Sequence, residues 1–269
     1  MKIILSRKGF DSSNGGCPSP IMPDGTLLSM PIPSDSENDA SYSDIAWNNT
    51  AYSDILHQLN PRKSYSKCHV DPDIRNNRID PPTGWRPAFG QSGSAQGLLS
   101  NAGVDVGDIF LFFGWFRSVE ETENGYRFVA KNSEDFYHGN NLQVVFGYLQ
   151  IGEIITDQDV IRQFYWHPHS SMSHTNVINN TLYLPIEKLS LNPSLKGYGT
   201  LDYRQDRVLT MKDRGRATWN EYSFLMPEHI YGNKKNSSKN GGLYYAGIWQ
   251  ELVVNESAGL IDWVNSIIS

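Results

Sequence analysis

The chain has 269 residues, a formal net charge of −6 at neutral pH, 39% hydrophobic content and 12% aromatic content. That length can bury a real core as one large or two small domains. No apolar run approaches the roughly 18 residues that cross a bilayer, and the negative balance counts against simple non-specific nucleic-acid binding, which needs Lys and Arg to neutralise phosphates.

A local basic stretch exists, with Arg204, Arg207, Lys212, Arg214 and Arg216 close together, but Asp202, Asp206 and Asp213 dilute it. Its plain reading is a mixed-charge loop. Two cysteines, Cys17 and Cys68, favour a reducing compartment over a disulfide framework. The apolar run after Met1 is too short for a signal peptide. A cytoplasmic location is the expectation.

Lys2 to Leu5 reads as a first strand, running into a loop from Ser6 to Gly16 crowded with small polar residues and glycine. Backbone N–H groups in such a loop can form an anion-binding nest, to which Arg7 and Lys8 add charge. No helical pattern follows, so this is not a phosphate loop opening a helix. Pro23-Asp24-Gly25 is a turn, and Leu27 to Ile32 is at most a short strand. A short helix carries Ile55, Leu56 and Leu59, with Ser53 and Asp54 at its start and Asn60-Pro61 at its end.

His69-Val70-Asp71-Pro72-Asp73 places an imidazole and two carboxylates within five residues, a set able to hold a divalent cation or move protons. The competing reading is that Asp71 and Asp73 cap a turn beside proline. Arg75 to Ala102 is a long loop, with a turn or two of helix at Gln96 to Ala102.

The strongest signal is Gly107 to Phe116, echoed at Val144 to Ile155. Both runs are apolar and rich in aromatic and β-branched residues, as strands buried on both faces are. Gly114, Gly147 and Gly152 mark places where a strand bends, bulges or is approached by another backbone. A hairpin around Tyr126 to Ala130 lies between them, after the Asn124-Gly125 turn signal. A small, strongly curved β-barrel is the container these runs predict.

Beyond the second run, Asp157 to Tyr165 reads as a helix. Trp166-His167-Pro168-His169 follows, with His174 nearby. In an extended segment His167 and His169 point to one side and can together grip a metal or a phosphate. No third ligand stands next to them and no zinc spacing is matched, so no metal is assigned. Asn180 to Leu184 and Arg207 to Thr210 read as strands, Lys234 to Gly242 as an exposed cationic loop, and Leu243 to Tyr245 as renewed order. Trp249 to Val254 is a strand carrying the polar pair Gln250 and Glu251. Ser257 to Ile268 is an amphipathic helix. With no linker between globular halves, residues 1–269 read as one domain.

Several of these segments carry a resemblance. Ile4 to Ser13, Pro18-Ser19-Pro20-Ile21 and Pro23-Asp24-Gly25 resemble the opening of the nucleotide-modification-associated domain family, type three. His69 to Asp73, Phe89-Gly90-Gln91, Gly107 to Arg117, His167-Pro168-His169, Asn180 to Tyr183 and Gln250-Glu251-Leu252 are similar to the same family. The resemblance implies a link to systems that make or handle modified DNA bases, in bacteria and phages, and supplies no reaction. The Gly107-Asp108 entry and the Gly147 to Glu153 strand end are also similar to the barrel core of PUA, ASCH and EVE-like domains, an analogy of fold alone.

The expectation is therefore an α+β fold with a curved, barrel-like (PUA-like) core, long loops and a few peripheral helices. The partner is a nucleotide or nucleic acid, including one with modified bases; no membrane is involved, and cofactor and protein partners are unknown. Catalysis is assigned to Asp11, His69, Asp71, Asp73 and Glu251. Substrate binding is assigned to Arg7, Lys8, Ser12, Gln91, Arg117, Trp166, His167, His169, Arg216 and Gln250. A nucleotide- or base-modifying enzyme leads narrowly. A reader stacking a modified base on Trp115, Trp166 or Trp219, and a partner subunit of a modification or defence complex, stay open beside it.

Overall fold

The computed structural model describes residues 1–131, 134–172, 177–232, 243–245 and 250–269. Strands β1 (Ile3–Arg7) and β2 (Ser19–Ile21) come first and join the main sheet. β3 (Ile32–Ser34) and β4 (Ala40–Ser41) follow, then a hairpin of β5 (Ala46–Trp47) and β6 (Thr50–Ala51), then helix α1 (Tyr52–Leu59). β7 (Lys67–His69) pairs with both β3 and β4 and completes a small three-stranded sheet.

The main sheet then gains β8 (Phe89–Gln91), β9 (Ile109–Thr122), β10 (Gly125–Phe128), β11 (Leu142–Ile155), β12 (Thr181–Pro185), β13 (Tyr198–Thr200) and β14 (Glu251–Val254). Between them lie α2 (Gly93–Asn101), α3 (Phe136–Gly139), α4 (Gln158–Ile161) and α5 (Pro168–Met172), and α6 (Ala258–Ile268) follows β14. The strand order is β14-β1-β9-β11-β12-β8, with β2 and β10 on β9 and β13 on β11. The sheet is strongly curled into a half-barrel with few helices, an α+β fold. Among the described residues no helix is long and apolar enough to cross a membrane.

The two apolar runs are the long central strands, β9 and β11, paired antiparallel. Alternation divides their side chains between two cores. Ile109, Leu111 and Phe113 face a core shared with Leu260, Val264 and Ile267 of α6, while Phe110, Phe112 and Phe116 face a second core with Phe89 and Tyr183. Coverage of both faces is why these strands read as continuous hydrophobic runs.

In β11 the alternation changes phase. Leu142, Val144 and Phe146 face the second core, and after the register shift between Val145 and Gly147 it is Leu149 and Ile151 that do so. A bulge adds one residue to one strand and so reverses which parity points inward. The shift between Ile151 and Glu153 reverses it again, returning Ile154 to that core.

Phe112 is fully buried, with ring centroids of Phe89 and Phe146 at 5.2 and 6.3 Å. Phe112→Ala is expected to cost about 3–5 kcal/mol, the usual result of emptying an aromatic site that cannot collapse. Urea denaturation of the two proteins checks it.

Some local expectations change. The Leu27 to Ile32 strand reduces to a bridge at Leu27 and the start of β3 at Ile32. The helix at Asp157 to Tyr165 is only α4, because Gln163 and Phe164 donate to Val160 and Ile161 and tighten the chain out of the helix. Arg207 to Thr210 is no strand; Val208 and Thr210 make single bridges. His167 and His169 are not in an extended segment. Pro168 begins α5, since proline suits a first helical position as well as an extended one. His174, Lys234 to Gly242 and Trp249 lie outside the described residues.

Candidate functional site

The site begins at the end of β1. Residues 3 to 7 pair in parallel with Ile109 to Phe113, and Ser6 stands opposite Glu251 of β14. A Cβ on Gly114 would lie 2.7 Å from the Lys8 carbonyl oxygen, so the bare glycine lets the end of β1 stay close to β9. The Lys8 N–H donates to the Phe113 carbonyl at 2.8 Å. Period two then sends Ile4 into the second core and Ser6 and Lys8 along the same face.

Lys8 therefore points inward rather than into solvent. Its ammonium lies 3.7 Å from Asp71 Oδ2 and 3.6 Å from Glu251 Oε1, and its side chain is 6% exposed. The Phe89 ring, 4.2 Å away, covers it as well. Glu251 Oε1 accepts from Ser6 Oγ at 2.9 Å and from Gln91 Nε2 at 2.7 Å. Asp71 Oδ1 accepts the Gly90 N–H at 2.7 Å.

The two carboxylates beside Lys8 are driven in opposite directions. Burial pushes Glu251 up, and the pull of Lys8, Ser6 and Gln91 does not fully offset it. Burial also acts on Asp71, but there the ammonium of Lys8 and the His167 side chain outweigh it and hold the carboxyl well below its usual range. Asp71 keeps its charge and Glu251 holds its proton more tightly. Separated carboxyl environments are the arrangement acid–base chemistry uses.

Three imidazoles gather around Asp71. His167 Nε2 lies 3.5 Å from Asp71 Oδ1, and His167 Nδ1 accepts the His169 N–H at 3.2 Å. His169 Nδ1 is 2.6 Å from Asn180 Oδ1, while Asn180 Nδ2 donates to the Gln158 side chain and the His169 carbonyl. That pattern makes the Asn180 oxygen the acceptor and places the imidazole proton on Nδ1. Burial pushes His169 down to about 3, against the pull of Asp71, so the ring is neutral. His69, at the end of β7, faces His169 with ring centroids 5.5 Å apart, and its Nδ1 lies 3.6 Å from buried Asp39. His69, Asp71 and His169 each offer one ligand atom, and the three lie within 4.8 Å of one another.

These groups border a cavity of about 390 Å³ lined by Arg7, Lys8, Asp11, His69, Asp71, Gln91, His169 and Gln250. A second cavity, about 530 Å³, shares Arg7, Asp11 and Asn14 with it and continues to Ser12, Trp115, Arg216, Tyr244 and Tyr245. The Arg216 guanidinium lies over the Trp115 ring at 3.9 Å and hydrogen-bonds Ser12 Oγ.

The structure thus brings together residues from the first loop, β7, β8, α5 and β14. Asp11 stands between the cavities, where its Oδ1 accepts the N–H groups of Ser13 and Asn14 at 2.8 and 2.7 Å. Those two donors of the anticipated nest are taken by the loop's own carboxylate. Five assigned residues line neither cavity: Glu251 and His167 stand behind Lys8 and Asp71, and three lie apart from the cluster. Asp73 is buried against Arg78 at 3.2 Å, Trp166 packs on Phe164, and Arg117 lies on the distant half of β9 and donates to the Val129 carbonyl. Trp219 is fully buried and stacked on Tyr245. Asp39, Asn180 and Gly90 escaped sequence reasoning because their roles are second-hand: they hold other side chains in place. A Cβ at Gly90 would fall 2.2 to 2.5 Å from the His169 ring, so only glycine seats that imidazole.

No curated protein and no solved structure matches the chain. A family model does, along nearly its full length. Residues 2–255 match nucleotide modification associated domain 3, and the chain belongs to that family.

Proposed function

We propose that the protein is an enzyme of a DNA- or nucleotide-modification system, acting on a nucleotide or nucleobase held in the paired cavities. The observation that carries this reading is the ammonium of Lys8, buried between Asp71 and Glu251 at the wall of an open polar cavity. Taking three ionisable groups out of water is costly, and such clusters concentrate where chemistry uses them. Family membership supports the setting. Asp71 presents a charged carboxylate at the cavity wall, and Lys8 links it to the buried carboxyl of Glu251. Arg7 and Gln250 line the reacting end, and the Arg216–Trp115 pair offers a flat cationic surface for a base or its phosphate.

A panel of nucleosides, nucleotides and short oligonucleotides, plain and modified, tests the reading by thermal shift. A true ligand at about 100 times its Kd adds roughly 2.7 kcal/mol. Arg216→Ala is expected to weaken nucleotide binding by about 1–3 kcal/mol, the scale of one base stack, and titration calorimetry reads it. If no nucleotide stabilises the wild-type protein, the reading is wrong. A reader of modified bases is the second reading, favoured by the same Arg216–Trp115 stack. It predicts binding of modified oligonucleotides alone and no product.

A further inference from the structure

We propose that His69, Asp71 and His169 form the binding site of a divalent first-row transition metal, open toward the polar cavity. The inference deepens the reading of the cleft as a nucleotide-acting site, and rests on it for what meets the ion's open positions.

Two imidazoles and one carboxylate are a donor set suited to zinc, iron or manganese, whereas magnesium and calcium sites are built from oxygen. Around one ion at about 2.0–2.2 Å, three such donors stand roughly 3–3.5 Å apart. The atoms here lie within 4.8 Å of one another, so closure asks for a shift of about an ångström. His69, at the end of a three-residue strand and 22% exposed at its side chain, has room to make it. Three protein ligands leave positions for water or substrate, and the same three residues line the cavity.

The groups that hold the two imidazoles from behind point the same way independently. Ligating imidazoles characteristically give their other ring nitrogen to a carbonyl or carboxylate, which fixes the tautomer. His169 does this with Asn180 Oδ1 at 2.6 Å, and Asn180 is itself held in orientation by Gln158 and the His169 carbonyl. His69 Nδ1 faces Asp39, whose Oδ2 accepts Ser34 Oγ at 2.6 Å. In both rings Nε2 is left as the nitrogen with a lone pair to give. Gly90 completes the cradle by leaving the His169 ring its space. Lys8 also touches Asp71, on Oδ2, and as a neighbouring cation it opposes an incoming ion; Glu251, 3.6 Å away, can hold it on the other side.

The test is titration of the chelator-stripped full chain with Co²⁺, whose visible absorption reports imidazole and carboxylate ligation, followed by competition with Zn²⁺ and Mn²⁺. One ion per chain is expected. His69→Ala and His169→Ala should each abolish the signal, Asn180→Ala should weaken binding by about 10–100-fold, and Lys8→Met should tighten it. The exposed His57→Ala is the control, with circular dichroism showing each variant folded. Absence of saturable binding to the wild-type chain overturns the proposal without depending on any variant, and so does binding that survives His69→Ala and His169→Ala. Nucleotide binding is measured in parallel on the stripped protein. Nucleotide without metal binding sinks the metal site alone, and metal without nucleotide binding sinks the substrate reading alone.

Discussion

Replacing Lys8 by methionine is expected to cost about 3–5 kcal/mol of folding stability at neutral pH, the usual effect of deleting one partner of a buried ion pair. Its ammonium pairs with both Asp71 and Glu251, so its removal takes away the cation that the two carboxyls share. The effect has a sign in pH. Lys8 helps hold the folded carboxyl of Asp71 below its unfolded value of 3.8, so Asp71 contributes stability above that pH and loses it as pH falls. In the variant that contribution is missing, and the neutral-pH penalty should shrink as pH drops through 4 and below. Adding Glu251→Gln should recover part of the loss, because a neutral amide needs no counterion. Urea denaturation at two pH values, with the double variant, reads all three. A variant as stable as wild type at neutral pH would mean that the ammonium is not bound where the geometry puts it.

Gly90→Ala is the second large effect, and it is a pure test of shape. The added methyl would fall 2.2, 2.4 and 2.5 Å from Cδ2, Cγ and Nε2 of His169. The imidazole has no easy escape, since Asn180 holds Nδ1 and α5 carries its backbone. Overpacking a tight site costs about 1–3 kcal/mol. More telling than the melting point is the ring itself: displacement of His169 should abolish Co²⁺ binding while leaving secondary structure intact. Gly97→Ala is the internal comparison. That glycine sits within α2 with open space around its Cβ direction, and alanine there should stabilise by roughly 0.5–1 kcal/mol. If both substitutions behave alike, the close approach at Gly90 is not real.

The parts of this fold that were legible were those with a local signature. The aromatic runs of β9 and β11 announce doubly covered strands by composition, and their glycines mark the close approach at Gly114 and the bulges at Gly147 and Gly152. The closing helix α6 shows its stripe of Leu260, Val264 and Ile268 in sequence. The site was legible as a collection of reactive residues and illegible as an arrangement. Asp71 and Asp73 are two apart and look equivalent, yet one faces the cavity and the other is locked to Arg78. His167 and His169 look like a pair because the chain between them reads as extended. Pro168 starts a helix instead, which turns His167 toward the oxygen of Asp71 that Gly90 holds and His169 toward His69. The third member of that set lies about a hundred positions upstream, and no spacing rule reaches that far.

The pairing of Ser6 with Glu251 across 245 positions has a consequence for how the protein comes into being. A ribosome makes Lys8 long before it makes Glu251. Until residue 251 is made the lysine has no second carboxylate, and the β1 edge that β14 covers stays open to other strands. A chain that stops before residue 251 carries the three imidazoles and Asp71 but lacks the Glu251 carboxyl that pairs with Lys8.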